Sequence, residues 1–126
     1  MSATFGRLYT NGEIIIKQGT VGDCLYIIQE GRVEVIDETG GHEIKVAELG
    51  DKEFFGEMGL FEKDVRSATV KAIGDTKVLT IDRLNFIATI QKDPSLAFRL
   101  LENMSRRLRQ TTKELGALKQ NSVKEA

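Results

Sequence analysis

Residues 54–73 read FFGEMGLFEKDVRSATVKAI, and the reading of the chain turns on this stretch. Gly56 stands ahead of Glu57-Met58-Gly59-Leu60, a segment long enough for one helical turn. A helix start after a glycine points free backbone N–H groups at one spot, and such a spot suits an anion, phosphate above all. Arg66 follows, then a period-two run in which Ala68, Val70 and Ala72 share a face. A strand over Arg66–Ile73 puts the guanidinium at the inward edge of that apolar face. A buried cation needs a partner. Two are open to it: the Glu57 carboxylate, in a structural ion pair, or a ligand anion held jointly by Arg66 and the amides after Gly56.

Upstream, turn signals recur at Asn11-Gly12, Gly22-Asp23, Glu30-Gly31, Gly40-Gly41, Gly50-Asp51 and, further on, Gly74-Asp75. Most are about 8 to 12 residues apart, the spacing of an antiparallel sandwich or barrel. Strand-like runs lie between them: Glu13–Lys17, Leu25–Ile28, Arg32–Ile36, Glu43–Leu49, Arg66–Ile73 and Lys77–Ile81. Alternation in Arg32–Ile36 and Glu43–Leu49 sets Val33 and Val35, and likewise Ile44 and Val46, on core faces.

After Ile81 the period changes. Asp82 can cap a helix over about 83–92, in which Leu84, Ile87 and Ile90 recur every three residues. Asp93-Pro94 ends it and starts a second helix over about 94–119, with Asp93 as N-cap and Pro94 in the first turn. Ala97, Leu101, Met104, Leu108, Thr111, Leu115 and Leu118 are alternately four and three residues apart, a heptad seam. Leu96 and Leu100 lie beside the seam and are candidates to face the chain's own barrel. A compact barrel spans only ~30 Å, and a helix rising about 1.5 Å per residue outruns it. The seam is therefore read as a parallel two-stranded coiled coil of a homodimer. From Lys119 onward the chain is polar and expected to fray.

The 126 residues suit one domain, with 40% apolar and 29% charged side chains. A formal net charge of −1 gives no bulk pull toward nucleic acid or anionic membrane, so any anion site is local. Arg106, Arg107 and Arg109 spread over several helix faces and read as solvated or rim contacts. No apolar run is long enough for a membrane span, and the start lacks the pattern of a signal peptide. One cysteine permits no internal disulfide, and a cytoplasmic location follows by default. Cys24, in the run Cys24-Leu25-Tyr26-Ile27-Ile28, reads as a buried, inert thiol. The single histidine, His42, lies in a turn by composition, so no metal site is expected.

Gly56-Glu57 with Arg66-Ser67-Ala68 resembles the phosphate-binding cassette of cyclic nucleotide-binding domains. The run from Gly12-Glu13 through Gln18-Gly19, Gly22-Asp23 and Leu25-Tyr26-Ile27-Ile28 to Gly31, Val33 and Val35 resembles the first half of the same module. Met104–Thr112 is similar to the dimer helix of the bacterial cyclic-AMP receptor protein family. The likeness covers about residues 8–118.

The resemblance implies a double-stranded β-helix (jelly-roll) barrel over about 8–82, followed by a short helix and a long dimerisation helix, in one domain over 1–126. It implies a cyclic nucleotide as ligand, cyclic AMP first and cyclic GMP second, with no other cofactor and no catalysis. Glu57 would accept from the ribose 2′-hydroxyl. Arg66 would pair with the cyclic phosphate, whose geometry suits a planar fork. Gly56 and Ser67 would donate to phosphate oxygens, with Met58 and Ala68 as neighbours in the cassette. Val35, Val46, Leu49 and Phe55 match pocket-lining positions, though apolar strand residues fill cores as a rule. Thr111 from one protomer and Thr112 from its partner would touch the purine.

The sequence departs from the family pattern in two places. Lys52 stands where the family often has glycine, and the chain stops about where a helix-turn-helix domain would begin. Direct DNA binding by this polypeptide is not expected, and the protein that responds to the helix is unknown. Two other functions fit the same fold class. A cupin-type enzyme needs two or three strand histidines for its metal, and only His42 is present. A ligand-free dimerisation scaffold must explain Glu57 and Arg66, both costly to bury without a ligand.

Overall fold

The computed structural model describes residues 6–62 and 65–125, and its internal contacts divide the chain into two units between Ala88 and Thr89. The first unit is a six-stranded antiparallel roll: β1 (Arg7–Tyr9), β2 (Ile14–Ile16), β3 (Cys24–Asp37), β4 (Ile44–Leu49), β5 (Phe54–Phe55) and β6 (Thr69–Asp82). A short helix, α1 (Glu57–Glu62), lies between β5 and β6. Strand order is β1-β6-β3-β4, with β2 pairing β6 and β5 pairing β3. The architecture is the expected one, a mainly antiparallel jelly-roll-type barrel followed in the chain by helices.

The two long strands form the spine, running from Cys24 opposite Asp82 to Ile36 opposite Thr69. Tyr9, Ile16, Ile28, Val33, Phe55, Val70, Ala72 and Val78 make one buried cluster, with Ile15, Tyr26, Val35 and Leu49 packed on its margin. Leu25, Phe54 and Leu60 are also fully buried.

Four expectations are corrected. Glu30-Gly31 and Gly74-Asp75 are not turns, since β3 and β6 run straight through them. The glycines serve irregularities instead, with the β3–β6 register shifting on either side of Glu30. Gly31 has φ +116°, and a Cβ there would lie 2.8 Å from Thr76 Cα and 2.9 Å from the Asp75 carbonyl oxygen. Next, β6 begins at Thr69, so Arg66 precedes the strand. Its backbone is engaged elsewhere: Arg66 N–H donates to the Thr20 carbonyl at 2.7 Å and Gly19 N–H to the Arg66 carbonyl at 2.9 Å. Third, Ile44 and Val46 do not enter the core but are 57% and 55% exposed. β4 is an edge strand that pairs, among the described residues, with β3 alone, so burial at this edge does not follow from alternation. Fourth, Cys24 is half-buried rather than fully so. Two short strands, β1 and β5, carry too few residues to show a period.

Asp82 caps α2 (Arg83–Lys92), its Oδ1 accepting from Asn85 N–H at 2.8 Å. In the second unit α3 (Ser95–Glu125) starts where expected. Asp93 Oδ1 accepts from Ser95 N–H at 3.1 Å and from its hydroxyl at 2.5 Å, and the Pro94 carbonyl accepts from Ala97 N–H at 3.1 Å. The helix continues through the tail read as frayed, ending at Glu125, because Lys, Gln and Glu are good helix formers and no Pro interrupts them. Along α3 the seam residues Leu101, Leu108, Leu115 and Leu118 are all more than half exposed, whereas Leu96, Leu100 and Asn103 are buried. His42 is exposed after a 3-10 turn over Thr39–Gly41.

Candidate functional site: the Arg66 cradle

The site is built where three parts of the roll meet. The chain leaves β5 at Phe55 and turns through Gly56, whose φ of +76° suits glycine, into α1, which opens on Glu57. Gly59 N–H donates back to the Gly56 carbonyl at 3.2 Å and closes the turn. The third part is the approach to β3. An isolated antiparallel bridge joins Val21 to Val65, which sets the segment carrying Arg66 beside Gly22 and Asp23.

Arg66 is only 8% exposed. Its Nη1 donates to the Gly56 carbonyl at 2.7 Å and its Nη2 to the Cys24 carbonyl at 3.0 Å, with Cys24 Sγ 3.8 Å from the same nitrogen. The guanidinium carbon stands 5.8 Å from the centre of the Tyr26 ring, which stacks on Phe55 at 5.0 Å with planes 7° apart. Burial pushes the Tyr26 phenol above its ordinary value, Cys24 adds to the rise, and the Arg66 charge opposes it. Tyr26 is therefore a neutral platform under a buried cation. The Gly56 and Cys24 carbonyls that accept from this cation are dipoles, which orient it without cancelling its charge.

Gly56, Glu57, Arg66, Ser67 and Ala68 are thus brought to one end of the roll, with Glu57, Gly56 and Ala68 half-buried and Ser67 and Met58 exposed. Phe55 is core, 3% exposed, and packs in the central cluster; Val35 and Leu49 are half-buried at its margin, and Val46 is exposed on β4. Thr111 and Thr112 stand on α3, in the second unit, both exposed; Thr112 Oγ1 donates to the Leu108 carbonyl at 2.8 Å. Arg106 and Arg109 are exposed and Arg107 half-buried.

Two contributors, Tyr26 and Arg83, were not singled out from the sequence, and Thr69 was read only as the end of the run Arg66–Thr69. Tyr26 reads as one more strand aromatic until Phe55 is placed against it. Thr69 is fully buried, and its Oγ1 accepts from Gln18 N–H at 2.9 Å, tying the turn after β2 to the start of β6. Arg83 donates from Nε and Nη2 to the Leu60 carbonyl at 3.1 and 3.0 Å and so holds the end of α1. A hydrogen-bond partner half a sheet away leaves no periodic signal, so none of these is legible in one dimension. Among the described residues no cluster of three His, Cys, Asp or Glu is placed to hold a metal, and no helix is long and apolar enough to cross a membrane.

Comparison with known proteins agrees with this layout. The chain is 39% identical over 113 residues to the cyclic AMP receptor protein of Thermus thermophilus, a match covering 89% of this chain and 52% of that protein. It is 44% identical over 82 residues to the cAMP-dependent protein kinase regulatory subunit of Dictyostelium discoideum, covering 62% and 25%. The crystal structure of Thermus thermophilus catabolite activator protein matches with a TM-score of 0.77 and 38% identity over 90% of this chain and 54% of that one. The chain therefore spans about half the length of the receptor-type relatives. The family model for the cyclic nucleotide-binding domain matches residues 7–93, across the roll, the Arg66 cradle and α2, and the chain belongs to that family.

Proposed function

We propose that the chain is a regulatory sensor, not an enzyme, that binds cyclic AMP in the Arg66 cradle, with cyclic GMP as the second candidate. The observation that carries this reading is the buried Arg66 guanidinium held beside Gly56 at the start of α1. Its fork has five N–H donors, so a cyclic phosphate entering beside Gly56 gains charge-assisted bonds. Glu57, at the head of α1, is assigned to the ribose 2′-hydroxyl, since a carboxylate there would repel the phosphate. Gly56 and Ser67 are assigned to phosphate oxygens, with Met58 and Ala68 beside them. Val35, Val46 and Leu49 are assigned to the base and ribose side. Phe55 acts from the core, by supporting Tyr26.

The proposal includes a homodimer through Ala97, Leu101, Met104, Leu108, Thr111, Leu115 and Leu118. The exposure of the four leucines supports it, because an isolated helix in water gains nothing from such a seam. Thr111 of one protomer and Thr112 of its partner would then meet the purine, and binding would be linked to helix pairing. The proposed location is the cytoplasm.

The relatives named for cyclic AMP or cAMP dependence support the choice of ligand. Calorimetric titration with cyclic AMP and cyclic GMP tests it. Saturable heat with cyclic AMP, tighter than with cyclic GMP, is expected; no heat and no thermal shift with either at millimolar concentration overturns it. A ligand-free dimerisation scaffold draws on one observation, that Arg66 already has two carbonyl partners within its own chain. The same titration separates the two readings.

A further inference from the structure

The Arg66 guanidinium lies among three glycines, two in the turn and first residues of α1 and one before β3. A Cβ on Gly59, inside α1, would stand 2.6 Å from Nη1 and 2.9 Å from Cζ. One on Gly56 would stand 3.0 Å from Nη1. One on Gly22, before β3, would overlap Nε, Cζ and Nη2, so that its three nearest neighbours all belong to Arg66. The three residues leave a slot one guanidinium wide.

Gly22 differs from most glycines of the turns. Gly12, Gly19, Gly31, Gly40, Gly41, Gly56 and Gly74 all have positive φ, and Gly22 does not. Its backbone is open to any residue, so conformational freedom is not what glycine supplies there. What it supplies is room, and the atoms that need the room are the far end of a flexible side chain.

We propose that Gly22 is a positioning residue for nucleotide binding: by lacking a Cβ it keeps open the slot that holds the Arg66 guanidinium at the cradle. Alanine at this position expels the guanidinium, and the fold survives because Arg66 can swing outward. The inference rests on the reading above that Arg66 receives the cyclic phosphate.

Gly22→Ala in the full chain tests it with two readouts. Nitrogen-15 NMR of the Arg66 Nε–H, assigned by its loss in Arg66→Lys, reports the slot without any nucleotide. The signal is expected to be protected from solvent exchange in the parent protein and to exchange rapidly in Gly22→Ala. Calorimetry is expected to show cyclic AMP affinity falling by at least about tenfold, the scale of one lost charge-assisted contact.

The second signature is a change of sign between backgrounds. Arg66→Lys weakens binding in the parent, because the fork is lost. In Gly22→Ala the slimmer lysine passes the added methyl, so the same substitution is neutral or improves binding. A general loss of stability does not produce that reversal.

Gly59→Ala crowds the guanidinium from a second side and also meets the Gly22 carbonyl oxygen at 2.9 Å, a cost that the helix preference of alanine offsets in part. It stands in if Gly22→Ala fails to fold. A protected Arg66 signal with affinity within about twofold of the parent, or an equal loss from Arg66→Lys in both backgrounds, overturns the proposal. If the parent binds neither nucleotide, the sensor reading fails, and the slot is judged on the Arg66 signal alone.

Discussion

Arg66 Nη1 donates to the carbonyl oxygen of Gly56 at 2.7 Å, so the buried cation and the glycine that opens α1 hold each other in place. The bond joins the two halves of the motif, ten residues apart in the chain. The Gly56 carbonyl accepts from both Arg66 Nη1 and Gly59 N–H, so the turn into α1 is held from two sides. On the proposed reading, removing Arg66 loses a ligand contact and the order of the cradle together. Arg66→Ala is expected to weaken cyclic AMP binding by about 2–5 kcal/mol, the range for deleting one partner of a buried charge pair. Arg66→Lys should recover only part of that, lacking the planar fork. Isothermal titration of the three proteins checks both; equal affinities across the set would sink the assignment.

The exposed seam of α3 predicts an assembly. Leu108 is 69% exposed on a helix face that repeats in heptads. Leu108→Lys is expected to raise the dimer dissociation constant by about 100-fold or more, from the burial lost by one core leucine per chain. Sedimentation velocity over a concentration series reads this directly. A parent protein that stays monomeric at tens of micromolar contradicts the seam.

Gly31→Ala is expected to destabilise the roll by roughly 2–4 kcal/mol, from backbone strain and overpacking together. The cause is local: φ is +116° and the added Cβ meets Thr76 Cα and the Asp75 carbonyl, both backbone and unable to step aside. Urea denaturation is the measurement. A change below about 0.5 kcal/mol, the size of an ordinary surface substitution, would mean that the β3–β6 irregularity is softer than its geometry.

Lys52 is the one non-glycine with positive φ, at 69°, among the described residues. Its N–H donates to the Ile28 carbonyl at 2.6 Å, so the turn is pinned and the residue must accept the strain. Lys52→Gly relieves about 1–2 kcal/mol of left-handed penalty and gives some back as unfolded-chain entropy. The expected net gain is up to about 1 kcal/mol, seen as a raised melting temperature with nucleotide affinity unchanged.

The Asp93 carboxyl is held below its usual 3.8 by the hydroxyl and then the N–H of Ser95, both bonded to its Oδ1. A folded value lower than the unfolded one stabilises above 3.8 and loses that contribution as the pH falls through the lowered value. Ser95→Ala should therefore lower thermal stability at neutral pH and flatten its acid decline. Melting curves from pH 7 down to the acid transition report the slope; an unchanged slope would assign the decline to other carboxylates.

Much of the fold was legible because its signals are local. Most period-two runs, the change of period after Ile81, and the caps at Asp82 and Asp93 depend on residues a few positions apart, and these elements appear close to where they were expected. The errors fall where a distant partner decides. Glu30-Gly31 reads as a turn by composition, yet β6 opposite carries the strand through it. Ile44 and Val46 alternate as core residues do, yet an edge strand has a neighbour on one side only. For the cradle, Gly56 and Arg66 could be singled out from the residues themselves, and the family resemblance added Glu57 and Ser67.

Sequence by itself therefore determined the class of fold, the family, and the residue types at the proposed anion cradle. Periodicity, capping and motif spacing are all written along the chain. Only the tertiary structure decided what surrounds Arg66: the carbonyls of Gly56 and Cys24 as partners, the Tyr26 ring stacked on Phe55, and a slot made by Gly22, Gly56 and Gly59. A slot is an absence of atoms shared by segments distant in the chain. Until the roll closes and brings those segments together, a glycine that makes room cannot be told from a glycine that makes a turn.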